Sequence, residues 1–328
     1  MRAMVLHSLR QPLRLEERPD PVPAKGEVRL RVIACAVCRT DLHLVDGELT
    51  DVVLPVIPGH EIVGVVDAVG PGAAGLKVGA QVGVGWVGRT CGACDYCLAN
   101  RENLCDRPTF TGCTRDGGFA THVVVDARYT YPLEGFNDAM LAAPLMCAGL
   151  IGWRCLRAAG PGARIGLYGF GAAAHLLAQV IRWQQREFYA FSRPGDHAAQ
   201  GMARDLGAAW AGGSDEQPPV LLDAAIIFAP VGDLVPAALK AVRKGGRVVC
   251  GGIYMSDIPG FPYQVLWGER SVVSIANLTR QDGHEFLDIA RKAHVAPSIV
   301  KYDLADANRA LSDLRKGSIQ GAAVLVPA

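Results

Sequence analysis

The chain has 328 residues, half of them hydrophobic, and 33 lysines and arginines against 32 aspartates and glutamates leave a net charge of +1. That length provides one large or two medium domains with ample core, and the near-neutral balance offers no electrostatic footprint for nucleic acid or an anionic membrane. The opening MRAMVLHSLRQPLRLEERP has no unbroken apolar run, no later run approaches a membrane span, and ten cysteines in such a chain point to a reducing cytoplasm.

Up to about residue 149 the chain is rich in turns. VPAKGEVRLRVIACAV, HEIVGVVDAVG and AQVGVGWVG read as short strands between Gly and Pro breaks. Within this stretch, CGACDYCLANRENLC places Cys91, Cys94, Cys97 and Cys105 in a polar loop with the spacing C-x2-C-x2-C-x7-C. Four thiolates that close can surround one tetrahedral Zn²⁺ with bonds of about 2.3 Å. A disulfide pair or two unrelated turns are the alternatives, and the absence of an export signal weighs against the disulfide. Cysteine at all four positions closes the site, so its zinc is expected to be structural.

From about residue 150 to 277 strands and helices alternate. ARIGLYGF, REFYAFS, LDAAIIFAP and GGRVVCGGIY are strand-like. AAAHLLAQVIRWQQ, HAAQGMARDLG and LVPAALKAVRKG are helix-like, the last two ending at a Gly. Such alternation implies βαβ units and a parallel sheet. At the first strand-to-helix junction, Gly169, Gly171 and Ala174 fit G-x-G-x-x-A: a tight turn, a close backbone approach to pyrophosphate, and a small residue for helix-on-strand packing. About 20 residues further on, an NAD-selective fold carries Asp or Glu for the ribose 2′-hydroxyl. Here YAFSRPGD offers Phe191, Ser192 and Arg193 and no carboxylate. An arginine fork suits a 2′-phosphate and the Ser192 hydroxyl can donate as well, so NADP(H) is expected over NAD(H). After about residue 278 come two more helical patterns, DGHEFLDIARKA and LADANRALSDLRKG, and a final strand GAAVLVP.

A second set of metal donors is scattered: Cys38 in CAVCRTDLH, His60 and Glu61 in PGHEIVG, and Cys147 in APLMCAG. Two Cys and one His form a three-ligand set that leaves a fourth position for water or substrate, as catalytic zinc requires. Taken singly, each is more often a core residue than a ligand.

GHEIVGVVDAVG, the four-cysteine loop, TRDGGFATHVVV and GFGAAAHLLAQ occur in this order, and together they resemble the zinc-dependent medium-chain alcohol dehydrogenases over essentially the whole chain. The resemblance implies that Cys38, His60 and Cys147 bind a catalytic zinc, with Glu61 a neighbouring group or transient ligand. It implies that Asp41 hydrogen-bonds the other nitrogen of His60, that Thr40 touches the substrate oxygen, and that His43 passes its proton toward solvent. Arg39 is implied against the cofactor pyrophosphate, and Trp86 in a pocket narrowed toward small or slender alcohols. Thr40 and Asp41 read equally as a helix cap, His43 and Arg39 as surface residues, and Trp86 as core.

Many relatives carry Gly-Arg before the last strand, where this chain has Gly321 and Ala322, so one pyrophosphate contact is missing. With FSRPGD, that places the chain in an NADP(H)-type branch. The architecture implied is α/β: a GroES-like, β-rich catalytic domain of residues 1–149 with 278–328 returning to it, and a Rossmann domain of residues 150–277. Catalytic zinc, nicotinamide and substrate are expected in the cleft between them. Two Zn²⁺ per chain, a small alcohol, aldehyde or ketone as substrate, and a homo-oligomer, dimer or tetramer, complete the expectation. A zinc-free NADPH:quinone reductase and a non-catalytic NADPH-binding zinc protein are the rivals, and the set Cys38, Thr40, His43, His60 and Cys147 argues against both.

Overall fold

Glu27–Val37 is the spine of the N-terminal sheet. Over EVRLRVI the side chains of Val28, Leu30 and Val32 are buried and those between them are not, the period-2 signature of a strand with one wet face. Over ACAV every residue is buried, because the strand there is covered on both faces. It pairs antiparallel with Glu61–Val69 along its length. On its other edge, its first half pairs with His122–Asp126 and its last residues with Ala322–Val326. Ile299–Asp303, Gln81–Val84 and Thr130–Pro132 complete a seven-stranded sheet. The last strand of the chain is thereby hydrogen-bonded into the sheet begun by its first third.

The computed structural model describes residues 1–73 and 75–327. They divide into two units, one made of Met1–Ala148, Asn277–Arg291 and the chain from Ala296, the other of Gly149–Ala276 with Lys292–Val295. The second unit holds a six-stranded sheet in the order Trp210–Gly213, Glu187–Ser192, Arg164–Tyr168, Leu222–Ile227, Val242–Cys250, Ser271–Ser274. Every neighbouring pair is parallel. In chain order that is 3-2-1-4-5-6, the doubly wound Rossmann arrangement. The helices Ala172–Trp183, His197–Asp205 and Leu234–Ala241 connect its strands. Near-continuous burial of strands such as Leu222–Ile227 is what a parallel sheet covered on both faces demands.

One local reading is revised and two strands are added. LVPAALKAVRKG is not one helix to its Gly: the helix stops at Ala241, and Val242 turns extended to begin the next strand opposite Leu222. β-Branched Val242 gains more from the sheet than from another helical turn. Trp210–Gly213 is a strand although WAGG carries little strand propensity; it is held by pairing with Tyr189–Ser192. Ser271–Ser274 adds a sixth strand on the opposite edge of that sheet. Among the described residues no single helix is long and apolar enough to cross a membrane.

Candidate active site and metal centres

The first metal-type cluster is built at the strand end that leads into the Arg39–Asp46 helix. Cys38 is the N-cap of that helix: the Thr40 N–H donates to its Sγ at 3.3 Å. The Cys38 N–H in turn donates to Asp41 Oδ2 at 2.9 Å, closing a reciprocal cap. The cap thus fixes a sulfur and a carboxylate together. Opposite, Glu61 opens the partner strand and His60 immediately precedes it. Gly59 has φ +95°, and a Cβ there would lie 2.3 Å from the Phe119 ring, so only glycine turns the chain tightly enough to bring His60 inward. Cys147 follows the short helical turn Ala143–Met146.

These elements bring Cys38, His60, Glu61 and Cys147 together, one donor atom from each lying within 4.8 Å of the others. His60 Nε2 is 3.1 Å from Cys38 Sγ. On the far side of the ring, Nδ1 is 3.3 Å from Asp41 Oδ1, in contact but off the line of a well-formed hydrogen bond. Asp41, His60 and Glu61 are each 1% exposed, and Glu61 Oε1 has no partner. Buried charges this close need a cation or protons.

The titration shifts show what protons alone do. Burial raises the Cys38 thiol, but the hydrogen bond from Cys147 and the His60 charge outweigh it and hold it well below the ordinary thiol range. Burial lowers His60, yet the Cys38 thiolate and Asp41 hold it well above the usual imidazole range. The hydrogen bond to Cys38 and burial push Cys147 well up. Burial and the Cys38 charge do the same to Glu61. Without a cation, three of the four groups keep protons they would have to give up as ligands. A divalent ion reverses that order, because coordination deprotonates a thiol outright. A soft S₂N set with a carboxylate beside it suits Zn²⁺ with an open position.

Of the other residues expected here, Thr40 is half-buried in the first turn of the Cys38-capped helix and Arg39 is exposed on it. His43, largely buried, pairs through Nδ1 with Glu48 Oε2. Trp86 meets His60 edge-on, ring centroids 5.0 Å apart, and its indole Nε1 is buried without a partner. Phe110 stacks on Trp86 at 5.1 Å. Sequence reading missed Glu48 and Phe110. Glu48 lies just past the helix-ending Gly47, and its distance of five residues from His43 does not match a helical face.

The second cluster is the cysteine loop. Cys91, Cys94, Cys97 and Cys105 also place one sulfur each within 4.8 Å of the rest. Cys91 and Cys97 Sγ are 3.9 Å apart, far beyond a disulfide and close to the edge of about 3.8 Å that a tetrahedron with 2.3 Å bonds requires. The N–H groups of Ala93 and Cys94 donate to Cys91 Sγ, and those of Cys91 and Arg107 to Cys105 Sγ. Such donors favour thiolates. The Ala93 and Cys94 bonds draw Cys91 down to about 6, whereas burial pushes Cys105 up to about 11. Thr90 Oγ1 lies 3.5 Å from Cys97 Sγ and 2.5 Å from the Tyr129 hydroxyl.

In the other unit, Gly169 turns the chain out of Arg164–Tyr168 with φ +87°, where a Cβ would meet Ala229 at 2.9 Å. Gly171 caps the Ala172–Trp183 helix, and a Cβ on it would enter open space. Ala174 is fully buried. The bare helix N-terminus beside an uncluttered glycine is a fit for a pyrophosphate. Ser192 is 4% exposed; its hydroxyl lies within hydrogen-bond reach of the carbonyls of Arg193 and Gly212 and accepts from Gln200 Nε2. Its one proton is shared between those two carbonyls. Arg193 is exposed, and its guanidinium has no hydrogen-bond or ion-pair partner among the described residues.

Residues 24–135 match the alcohol dehydrogenase GroES-like domain. The chain is 46% identical over 315 residues to a probable alcohol dehydrogenase, AdhA, of Mycobacterium tuberculosis, covering 93% of this chain and 90% of that one. It is 32% identical over 336 residues to an alcohol dehydrogenase of Geobacillus stearothermophilus, covering 99% and 98%. Among solved structures, a cobalt- and zinc-bound thermostable alcohol dehydrogenase from Pyrobaculum aerophilum superposes with a TM-score of 0.91 at 26% identity, covering 100% of this chain and 99% of that one. Identity sustained end to end at these levels does not arise between unrelated folds, and the chain belongs to the zinc-type medium-chain dehydrogenase/reductase family, with the alcohol dehydrogenases.

Proposed function

We propose that this alcohol dehydrogenase carries two Zn²⁺ per chain, one catalytic at Cys38, His60 and Cys147 and one structural at Cys91, Cys94, Cys97 and Cys105, and works with NADP(H) on small or slender alcohols and the matching aldehydes or ketones. The observation that carries the proposal is the buried gathering of Cys38, His60, Glu61 and Cys147 around one point. Zinc, when bound, supplies a Lewis acid that lowers the pKa of an alcohol hydroxyl toward neutrality. The nicotinamide supplies the hydride acceptor, and the protein's task is to position and to move a proton.

Cys38, His60 and Cys147 hold the metal, and Asp41 fixes the orientation of the His60 ring from behind. Glu61 stays within reach as a displaceable fourth donor. Thr40, in the first turn of the capped helix, presents its hydroxyl to the substrate oxygen, and His43 takes the proton onward. Trp86, stacked on Phe110 and edge-on to His60, restricts the substrate's girth. Gly171 and the N–H groups after it receive the pyrophosphate, and the Arg193 guanidinium pairs with a 2′-phosphate. Arg39 adds a second basic contact to the pyrophosphate, in place of the arginine that Ala322 replaces.

Six of the ten cysteines serve these two sites as thiols, which supports a reducing compartment such as the cytoplasm. We also propose a homo-oligomer, dimer or tetramer. The test is oxidation of an alcohol panel with NADP⁺ and with NAD⁺, run beside metal analysis. Two zincs and turnover of slender alcohols with NADP⁺ are expected. One zinc with quinone reduction, or with no turnover at all, would favour the rival classes.

A further inference from the structure

His43 sits near the end of the Arg39–Asp46 helix, which Gly47 terminates in the left-handed conformation. That turn swings Glu48 back toward the helix, and its backbone N–H donates to the His43 carbonyl at 2.9 Å. Its carboxylate Oε2 reaches His43 Nδ1 on the same residue. Two contacts, one to the backbone and one to the ring, lock Glu48 onto His43. The exposures of the two side chains differ: 11% for His43 and 38% for Glu48. Glu48 therefore bridges a buried imidazole and bulk water.

The other carboxylates on this helix are engaged elsewhere. Asp41 faces His60, Asp46 pairs with Arg315 of the Ala307–Lys316 helix, and Arg10 donates to the Asp46 carbonyl. Glu48 is the carboxylate left to serve His43.

We propose that Glu48 is a positioning residue of the proton relay: its carboxylate accepts the His43 Nδ1–H, so the lone pair of the ring is held on Nε2. This rests on the reading of His43 as the relay base. A neutral imidazole has one N–H and one acceptor nitrogen, and the partner of the first decides where the second points. In alcohol oxidation the proton leaving the substrate hydroxyl passes to the Thr40 oxygen as the Thr40 proton is passed on to Nε2, the ring becomes imidazolium, and the Glu48 carboxylate offsets its charge. The ring then releases one proton to water and returns to its starting form, so protons balance.

The experiment uses zinc-loaded protein with ¹⁵N-labelled histidine and three variants, Glu48→Ala, Glu48→Gln and Glu48→Asp. In the wild type, ¹⁵N shifts of His43, assigned by His43→Asn, are expected to show the proton on Nδ1. Glu48→Ala is expected to move it to Nε2, whereas Glu48→Gln, whose carbonyl still accepts, keeps it on Nδ1. Under steady state, Glu48→Ala is expected to lose about tenfold in kcat with KM little changed. Glu48→Asp or added formate should restore part of the loss, which a merely structural role would not allow. A wild-type His43 carrying its proton on Nε2 would overturn the proposal, as would a Glu48→Ala protein with unchanged tautomer and kcat. If the wild type oxidised no alcohol, the reaction assignment would fall while the tautomer measurement still judged Glu48.

Discussion

Asp41 does two jobs with one carboxylate, and a single substitution separates them. Its Oδ2 closes the helix cap on the Cys38 N–H while its Oδ1 backs the His60 ring. Asn keeps an oxygen for the cap but no negative charge for the imidazole. Asp41→Asn is therefore expected to leave the melting temperature of the zinc-free protein nearly unchanged and to weaken catalytic zinc about 10- to 100-fold, read by chelator competition. Arg193 is tested by cofactor kinetics. Because only NADPH carries a 2′-phosphate, Arg193→Ala should cost NADPH about 1.5–3 kcal/mol, roughly tenfold to over a hundredfold, and NADH little. Equal damage to both cofactors would remove the 2′-phosphate role from Arg193. Spacing made the four-cysteine set legible in the chain, whereas Cys38, His60 and Cys147, scattered over more than a hundred residues, could be read as a set only through family resemblance. The state of Ser192 was not legible: whether a hydroxyl faces solvent or Gly212 depends on the neighbouring strand, which is 20 residues away.

The cysteine loop buries little: its helix Asp95–Leu98 has no buried residue, and only the single turn Glu102–Leu104 and Cys105 reach the interior. Metal binding there is folding free energy, so Cys105→Ser should lower the melting temperature and release one zinc; an unchanged melt and metal content would remove the structural assignment. Acidification acts in a definite direction. Cys105, up at about 11, must surrender a proton to bind metal throughout the physiological range. Cys91, down at about 6, begins to hold its own proton only below that value. The apparent zinc affinity of the loop should thus fall as pH drops and fall more steeply below about 6, measured by zinc release against a colorimetric chelator. Elements with a clean period were readable: Val28, Leu30 and Val32 announce a strand. Trp210–Gly213 was not, because two glycines carry no pattern and the strand exists only through its neighbour. The end of the Leu234–Ala241 helix was likewise decided by Val242 pairing with Leu222 and not by the Gly further on.

At the scale of the molecule, alternating strands and helices after residue 150 were enough to read a parallel sheet, and the structure supplies its order. Sequence could not tell that Ala322–Val326 pairs with Cys35–Val37, nearly three hundred residues earlier, except through family resemblance. The same long-range pairing explains the site: strands joined early and late hold the cap at Cys38, the turn at Gly59 and the segment before Cys147 in one place. We propose that the two metal centres of the chain have separate duties. The most direct measurement is zinc content by elemental analysis, with alcohol oxidation followed in parallel, for the wild type and for His60→Ala. Two zincs and activity in the wild type, and one zinc, a retained fold and no activity in His60→Ala, are the results predicted; full activity in a variant holding one zinc would contradict it.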